Sequence, residues 1–156
     1  MRQCGLAGLA LALLLGGGVR AGEKDGDKGE AVKKEWGRLD GTWEMVGAVD
    51  DGKELPAPKE KVTLTLKDGK YTVRQGGKVV AEGAAKLDPT TSPKSLDTTP
   101  SSGPGEGKTS LGIYEVKGDT YRVCFARPGK PRPKTFEAKK GSGDALYTHK
   151  RVKARD

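Results

Sequence analysis

The fold is decided by residues 112–125, which read GIYEVKGDTYRVCF. Apolar and polar residues alternate on both sides of Gly118-Asp119, and such a two-residue turn is typical of an antiparallel β-hairpin. The turn places Tyr114 opposite Val123, so that one face of the hairpin is apolar. The stretch therefore predicts an all-β, antiparallel protein.

The same register predicts two further cross-strand neighbours. Glu115 lies opposite Arg122, which is an opposite-charge pair on the second face of the hairpin. Phe125 lies opposite Gly112, where the aromatic ring covers a position that has no side chain of its own. Cys124 then belongs to the face that carries Glu115 and Arg122.

A second hairpin is indicated by Asp68-Gly69, the strongest short turn motif in the chain. It places Leu66 opposite Tyr71 and Leu64 opposite Val73, again on one apolar face. The intervening residues are threonine and arginine, so the other face is polar. This pattern is typical of a sheet that is buried on one side only.

A third hairpin surrounds Gln75-Gly76-Gly77. A two-residue loop would place Glu82 on the apolar face, where an unpaired carboxylate is costly. We therefore expect a three-residue loop with a β-bulge. This arrangement points a series of small and apolar residues inward: Val79, Ala81, Gly83, Ala85 and Leu87.

The whole chain reads as one short helix followed by about eight strands. Val32, Trp36 and Leu39 recur at helical spacing. Strands are predicted at 42–49, 61–67, 70–75, 78–87, 94–98, 110–117, 120–126 and 145–152. Sequential strands joined mainly by hairpins favour an eight-stranded, up-and-down antiparallel barrel, and a strongly twisted sandwich is the alternative.

Two stretches are less regular. Residues 135–138 are a candidate for a further short strand. Residues 89–107 surround a weak strand with proline, glycine and serine, and we expect this segment to be mobile.

The N-terminal segment predicts export. A basic start, an apolar run over 6–15 and small residues up to Ala21 are typical of a signal peptide spanning residues 1–21. We expect a periplasmic or extracellular protein. Residues 22–30 have no apolar side chain and predict a disordered linker, so the folded domain is expected at 31–153. Cys4 leaves with the signal peptide, and Cys124 remains without a disulfide partner.

Five segments, in this order, resemble a known family: residues 39–44 (LDGTWE), 51–56 (DGKELP), 112–125, 127–133 (RPGKPRP) and 150–152 (KRV). Over almost the whole mature length, the chain resembles an uncharacterised lipocalin-like domain family of exported proteins in planctomycete bacteria. The resemblance implies a small calycin-type barrel, and it implies no activity.

The chain is also similar to lipocalins proper at both ends of the domain. Their barrels begin with Gly-x-Trp after a short helix and end with an arginine that packs on the tryptophan. Gly41-Thr42-Trp43 and Arg151 stand at the matching places. The resemblance implies a cation–π contact between Trp43 and Arg151 that closes one end of the barrel.

Residues with catalytic or metal-binding chemistry are sparse. His149 is the single histidine, and we interpret it as a side chain of the last strand beside Arg151. Cys124 is either a thiol activated by Arg122 and Arg127 or a small buried side chain, and free cysteine favours burial. We therefore predict no catalytic residue, no metal, no cofactor and no enzymatic activity.

Two functions remain open. The first is binding of a small apolar molecule in a pocket formed by Tyr71, Val73, Tyr114, Val123 and Phe125. The second is an envelope module, structural or interacting, whose basic C-terminal loops contact an acidic glycan, lipid or protein through Arg127, Lys130, Arg132 and Lys134. Nucleic acid is not expected as a partner, because no stacking aromatic residues are interleaved with the basic ones. We expect a monomer.

Overall fold

The computed structural model of the chain describes residues 23–153. The predicted signal peptide lies outside the described residues. The elements are α1 (Glu23–Leu39), β1 (Gly41–Asp50), β2 (Lys53–Glu54), β3 (Val62–Lys67), β4 (Lys70–Gln75), β5 (Lys78–Asp88), β6 (Ser95–Ser102), β7 (Ser110–Lys117), β8 (Thr120–Phe125) and β9 (Ala145–Arg151).

The strands form one antiparallel sheet that closes into a barrel. Their order is β2-β1-β3-β4-β5-β6-β7-β8-β9, and β1 also pairs with β9. Eight strands therefore make the wall, and the two-residue β2 is an addition that pairs with the end of β1. The all-β barrel with a single N-terminal helix is as predicted, whereas the alternative of a sandwich is wrong. Closure pairs both edges that an open sheet would leave exposed.

Both predicted hairpin registers are confirmed. Leu66 pairs with Tyr71, and Leu64 pairs with Val73. In the β7–β8 hairpin, Gly112 pairs with Phe125. A Cβ atom at position 112 would stand 2.5 Å from the Cδ1 atom of the Phe125 ring, so this position accepts only glycine. Turn chemistry and face alternation were sufficient to determine these pairings.

The prediction for the third hairpin is wrong about the length of the loop, but it is right about which residues from Ala81 to Leu87 point inward. The loop has two residues, Gly76 and Gly77, with φ angles of 55° and 83°. Positive φ at both central positions suits a type I′ turn, which two glycines adopt readily. The bulge follows the turn instead of forming part of it, and it leaves Val79 46% exposed.

The rest of β5 then follows the predicted alternation. Ala81 pairs with Val73. Gly83, Ala85 and Leu87 are buried, and Glu82 is exposed. The bulge therefore keeps the carboxylate of Glu82 out of the barrel, as expected from its desolvation cost.

The expectation of a disordered linker at residues 22–30 is wrong for the part that the structure describes. Helix α1 begins at Glu23, although residues 26–30 are exposed. Once its packed turns are formed, a helix extends at little cost. Lys28 adds an ion pair, with its Nζ 2.6 Å from Oδ2 of Asp88.

The packed turns of α1 cover one end of the barrel. Leu39 and Trp43 are completely buried there, and Tyr114 is 1% exposed. Glu35 joins them: Lys94 Nζ donates to its Oε1 at 2.6 Å, and the Tyr114 hydroxyl donates to the same oxygen at 3.3 Å. Burial raises the pKa of Glu35, but the hydrogen bond and charge of Lys94 outweigh it and lower the pKa. This is the closed end of the barrel.

The segment between β8 and β9 lies on the outside of the wall. Residues 135–138 form no strand, so that prediction is wrong. Arg132 instead ties the segment to the barrel through both carboxylate oxygens of Asp97 and through the carbonyl oxygen of Gly112, which is 2.6 Å from Nη1. Strand β6 runs from Ser95 to Ser102, further than the weak strand that was expected.

Candidate functional site

The barrel encloses a cavity of about 310 Å³. This is near the lower bound of the volumes usual for small-molecule sites. The lining is mainly apolar and is drawn from six of the wall strands: Met45, Val62, Leu64, Leu66, Tyr71, Val73, Leu96, Thr98, Tyr121, Val123, Phe125, Tyr147 and His149. The barrel interior is therefore filled at the closed end and hollow beyond it.

The cavity becomes progressively more exposed away from α1. Lining residues such as Leu66, Leu96 and Tyr121 are buried, whereas Val62, Val73 and several others are half-buried. Three of the half-buried residues also line a second, surface groove of about 280 Å³: Thr98, Phe125 and Tyr147. These residues, with Val62 and Val73, form the open end of the barrel.

Four of the five residues predicted for the pocket line this cavity: Tyr71, Val73, Val123 and Phe125. Tyr114 does not. It faces inward beside Val123, as its register requires, but it belongs to the core of the closed end and bonds to Glu35. Alternation along a strand determines which face a residue occupies, and it carries no information about depth along the barrel axis.

Sequence reasoning missed several residues of the lining. Tyr121 pairs with Val116 in the predicted hairpin, so its inward direction was available from the register. Tyr147 and His149 alternate with Arg151 along β9 and share the inward face. Their signal was weak, because threonine and lysine between them do not contrast sharply with tyrosine and histidine. Met45 and Leu96 come from strands whose register had not been predicted.

His149 is held in the wall between aromatic and apolar neighbours. It pairs with Met45 of β1 and with Tyr121 of β8. Its ring centroid lies 5.4 Å from that of Tyr121 and 6.5 Å from that of Tyr147. The side chain is 6% exposed. Burial lowers the pKa of His149 to about 4, with the backbone of Tyr121 acting in the opposite direction.

The polar atoms of the cavity are uncharged. Burial raises the pKa of Tyr71, Tyr121 and Tyr147, and the charge of Asp50 raises that of Tyr147 further. The tyrosine hydroxyls and the imidazole are therefore neutral near neutral pH. Within residues 23–153, none of the lining side chains is a lysine, arginine, aspartate or glutamate.

The predicted contact between Trp43 and Arg151 is confirmed. The guanidinium carbon stands 4.0 Å from the centre of the Trp43 ring. Arg151 also donates to the carbonyl oxygens of Arg38, at 2.6 Å, and Asp40, at 3.1 Å. The indole Nε1 donates to the carbonyl oxygen of Leu39 at 2.8 Å. These bonds join the end of α1 to the first and last strands and seal the closed end.

The four basic residues predicted for anion contact do not form a uniform group. Arg132 is engaged by Asp97 and Gly112, as described above. Arg127 stands at the groove of the open end with an Nη2 atom 3.8 Å from Oδ1 of Asp50. Lys130 and Lys134 are exposed. At most three of the four cations are therefore available to a partner.

Cys124 lies on the outer face of β8, beneath the segment that Arg132 anchors. It is completely buried, next to the paired Ile113. Burial raises the pKa of the thiol to about 11, and Asp144 adds to this effect while Arg122 opposes it. The thiolate needed for a reactive cysteine is therefore disfavoured, which supports a packing role.

Two observations concern the described residues as a whole. No group of three or more His, Cys, Asp or Glu side chains in the described part of the chain is arranged to hold a metal ion. Among the same residues, no helix is long and apolar enough to cross a membrane.

Fold and cavity together define a closed eight-stranded antiparallel barrel with an apolar interior site. Comparison with protein-family models, curated proteins and solved structures finds no match for this chain.

Proposed function

We propose that this protein is a non-catalytic, exported, lipocalin-like binding protein that holds a small, mainly apolar molecule inside its barrel. The cavity of about 310 Å³ is the observation that carries the proposal. Apolar walls with a few polar groups are typical of small-molecule sites. Leu64, Leu66 and Val123 supply the apolar surface, and the tyrosine hydroxyls supply the polar groups.

The Trp43–Arg151 contact supports the lipocalin-like assignment. It joins a Gly-x-Trp segment after a helix to an arginine of the last strand at 4.0 Å, which is the arrangement that the resemblance implies. Export is supported by the charge and apolar pattern of residues 1–21. Mass spectrometry of the protein recovered from its native envelope or medium should give an N-terminus at or near Gly22, and an intact Met1 there would contradict export.

The alternative of a basic module that contacts an acidic partner has less support. It depends on Arg127, Lys130, Arg132 and Lys134 acting together, but Arg132 is bonded to Asp97 within the domain. A bidentate arginine–carboxylate pair of this kind stabilises the local structure and is not free for a partner.

Ligand binding is tested by titrating the folded protein with an uncharged, environment-sensitive dye such as N-phenyl-1-naphthylamine. We expect saturable enhancement of fluorescence at micromolar concentrations. Val73→Phe places a larger side chain at the cavity wall and should weaken dye binding by about tenfold, because the ring occupies ligand volume.

Val79→Phe is the matched control. Val79 belongs to the same β4–β5 hairpin, but its side chain is 46% exposed and does not line the cavity. The proposal requires that this variant binds the dye as the unmodified protein does. Equal loss in both variants, or no saturable binding by the unmodified protein, would contradict a cavity site.

A further inference from the structure

The cavity has two unlike walls. Strands β3 and β4 contribute Tyr71 and four aliphatic side chains to the lining: Val62, Leu64, Leu66 and Val73. Most of the aromatic rings come instead from β8 and β9: Tyr121, Phe125 and Tyr147. In the closed sheet, three strands separate β4 from β8 in either direction, so these two strands lie across the barrel from each other. The cavity therefore lies between a mainly aliphatic wall and a mainly aromatic one.

Aromatic residues are concentrated around this cavity. The chain has two Trp, four Tyr and two Phe residues, and together they make up 5% of its sequence. Four of them line the cavity: Tyr71, Tyr121, Phe125 and Tyr147. Aliphatic side chains are sufficient to make a cavity apolar, whereas rings also offer flat faces on which another ring can stack.

Phe125 and Tyr147 leave part of their surface open to a ligand. Both are half-buried, and both line the cavity as well as the groove that adjoins it. The ring of Phe125 lies back over Gly112: a Cβ atom at position 112 would stand 2.5 Å from its Cδ1 and 2.7 Å from its Cε1. The absence of a side chain at Gly112 thus lets this ring pack along the wall of the barrel.

The charge of the cavity restricts what it can accept. Among the described residues, the lining contributes apolar carbon, aromatic rings and neutral polar groups, and it contains no lysine, arginine, aspartate or glutamate. An ionised group moved into such a site loses its hydration without gaining a counter-charge. An uncharged ring system loses no such hydration and gains apolar contact on both sides.

We propose that the cavity selects uncharged, planar aromatic ligands, which lie against the aliphatic wall of β3 and β4 and stack on Phe125 and Tyr147. The inference rests on the proposed function and adds the ligand class and the residues that recognise it. Ring quadrupoles stabilise offset-stacked and edge-to-face pairs beyond what their buried area contributes. The preference for aromatic over saturated ligands follows from these pairs.

The strongest competing idea is an organic cation held by the same rings. Aromatic faces attract ammonium groups, and several rings around one site can form a cage for them. The opposite wall, however, is made of Val62, Leu64 and Val73, and no carboxylate of the described chain lines the cavity. A cation would therefore lose hydration on that side without compensation. The test below includes a cation for this reason.

The test compares four compounds on one ten-carbon skeleton: 2-naphthalenemethanol, its saturated decahydro counterpart, 2-naphthoate and 2-naphthylmethylammonium. Each displaces N-phenyl-1-naphthylamine from the folded protein, and the concentration for half displacement is measured. We expect the aromatic alcohol to bind at least tenfold more tightly than either ion. Relative to partitioning into hexadecane, which corrects for hydrophobicity, it should be favoured over the saturated alcohol by about fivefold.

Variants assign this preference to the aromatic wall. Phe125→Leu and Tyr147→Leu should each lower the affinity ratio of the aromatic to the saturated alcohol by about threefold, whereas Tyr147→Phe retains the ring and should keep the ratio. Val73→Leu, on the opposite wall, is the matched control and should affect both alcohols alike. Circular dichroism establishes that the variants are folded. An unchanged ratio in either folded leucine variant would overturn the role of that ring.

Nuclear magnetic resonance provides a readout that needs no variant. Protons of the bound naphthyl group should show nuclear Overhauser effects to the ring protons of Phe125 and Tyr147. Effects confined to exposed side chains such as Val79 would overturn the inference.

The outcomes also separate this inference from the proposed function. Binding of the saturated alcohol as expected from hexadecane partitioning, or an ion that binds as tightly as the aromatic alcohol, would overturn the ligand class while leaving the cavity site intact. Failure of every naphthyl compound to displace a bound dye would overturn it as well. Failure of the dye itself to bind would overturn the proposed function.

Discussion

The two ends of the barrel are built on the same strands and are filled differently. At the closed end, Leu39 and Trp43 are completely buried and Tyr114 is 1% exposed. At the open end, Val62 and Val73 are only half-buried and border empty space. Both ends receive inward side chains from the same alternation, so alternation does not decide whether a barrel is solid or hollow. The size of the inward side chains and the presence of a covering helix decide it.

Polar groups do not separate the two ends as packing does. At the closed end, Glu35, Lys94 and Arg151 are satisfied by one another or by backbone carbonyl groups. Among the described residues, two buried side-chain atoms have no hydrogen-bond partner: Oδ1 of Asp40, beside Arg151, and Nδ1 of His149. The density of apolar packing is therefore what distinguishes the closed end from the cavity.

The largest expected effect comes from removing the tryptophan of the closed end. Trp43→Ala should lower the free energy of unfolding by about 3–5 kcal/mol, because it leaves a large cavity in a packed core. Val73→Ala at the open end should cost about 1 kcal/mol, since that side chain already borders empty space. Urea denaturation measures both. Similar losses would show that the two ends contribute alike.

The second expectation concerns pH. The pKa of His149 falls to about 4 in the folded state, against 6.5 for the free group. Below the ordinary value the unfolded chain binds a proton that the folded protein excludes, so stability is fully present above about pH 6.5 and declines as the pH falls toward 4. Between about pH 7 and about pH 5, the free energy of unfolding should fall by about 2 kcal/mol.

His149→Leu is the control for this pH dependence. The variant should have an almost constant free energy of unfolding over the same range. Glu35 and Asp88 have lowered pKa values, so they add their own loss of stability only at lower pH, through the range in which carboxylates protonate. A decline of equal size in the leucine variant would assign it to other groups.

A smaller effect is expected at Arg151. Arg151→Ala should cost about 0.5–2 kcal/mol, the range for a cation–π contact with additional hydrogen bonds. In a cycle with Trp43→Leu, the two losses should be less than additive, because each variant alone already removes the contact. Lys150→Ala at the neighbouring exposed position should change stability by less than about 0.5 kcal/mol. Simple additivity would mean that the two side chains are not coupled.

The smallest effect is expected from adding volume at the open end. Val73→Phe should change the free energy of unfolding by less than about 1 kcal/mol, because the cavity accepts the ring. Leu39→Phe at the closed end should cost about 1–3 kcal/mol, because the packed core has no such space. Thermal or urea denaturation compares them. A large loss for Val73→Phe would indicate that the cavity is not available to added atoms.

Turn residues and the alternation of apolar and polar side chains were sufficient to predict much of the barrel. The turns at Asp68-Gly69 and Gly118-Asp119 determined two registers, and hence the faces of Leu64, Val73 and Phe125. Such predictions succeed because a two-residue turn fixes which residues of the two strands pair, and the alternation of side chains along each strand fixes which of them face the core. The same reasoning erred at Val79, where two glycines permitted a tighter turn than expected.

The remaining features depend on contacts between distant residues. Tyr114 is drawn into the closed end by Glu35, which lies on a helix 79 positions earlier. Arg132 is bound by Asp97, 35 positions away. His149 was correctly placed on the last strand beside Arg151, but its burial follows from β1 and β8 on either side of it. These contacts join residues that are far apart in the chain, so no periodic pattern in the sequence predicts them.

The pairing of Trp43 with Arg151 has a consequence for how the molecule assembles. The ring of strands is complete only when the last strand pairs with the first, and this pairing closes a loop of nearly the whole domain. Contacts so remote in sequence carry a high entropic cost and slow the search for the native state. A chain that ends before Ala145 would leave β1 and β8 as unpaired edges, each able to recruit another molecule. The last seven residues of the wall, Ala145–Arg151, thus protect the protein from aggregation as well as completing its cavity.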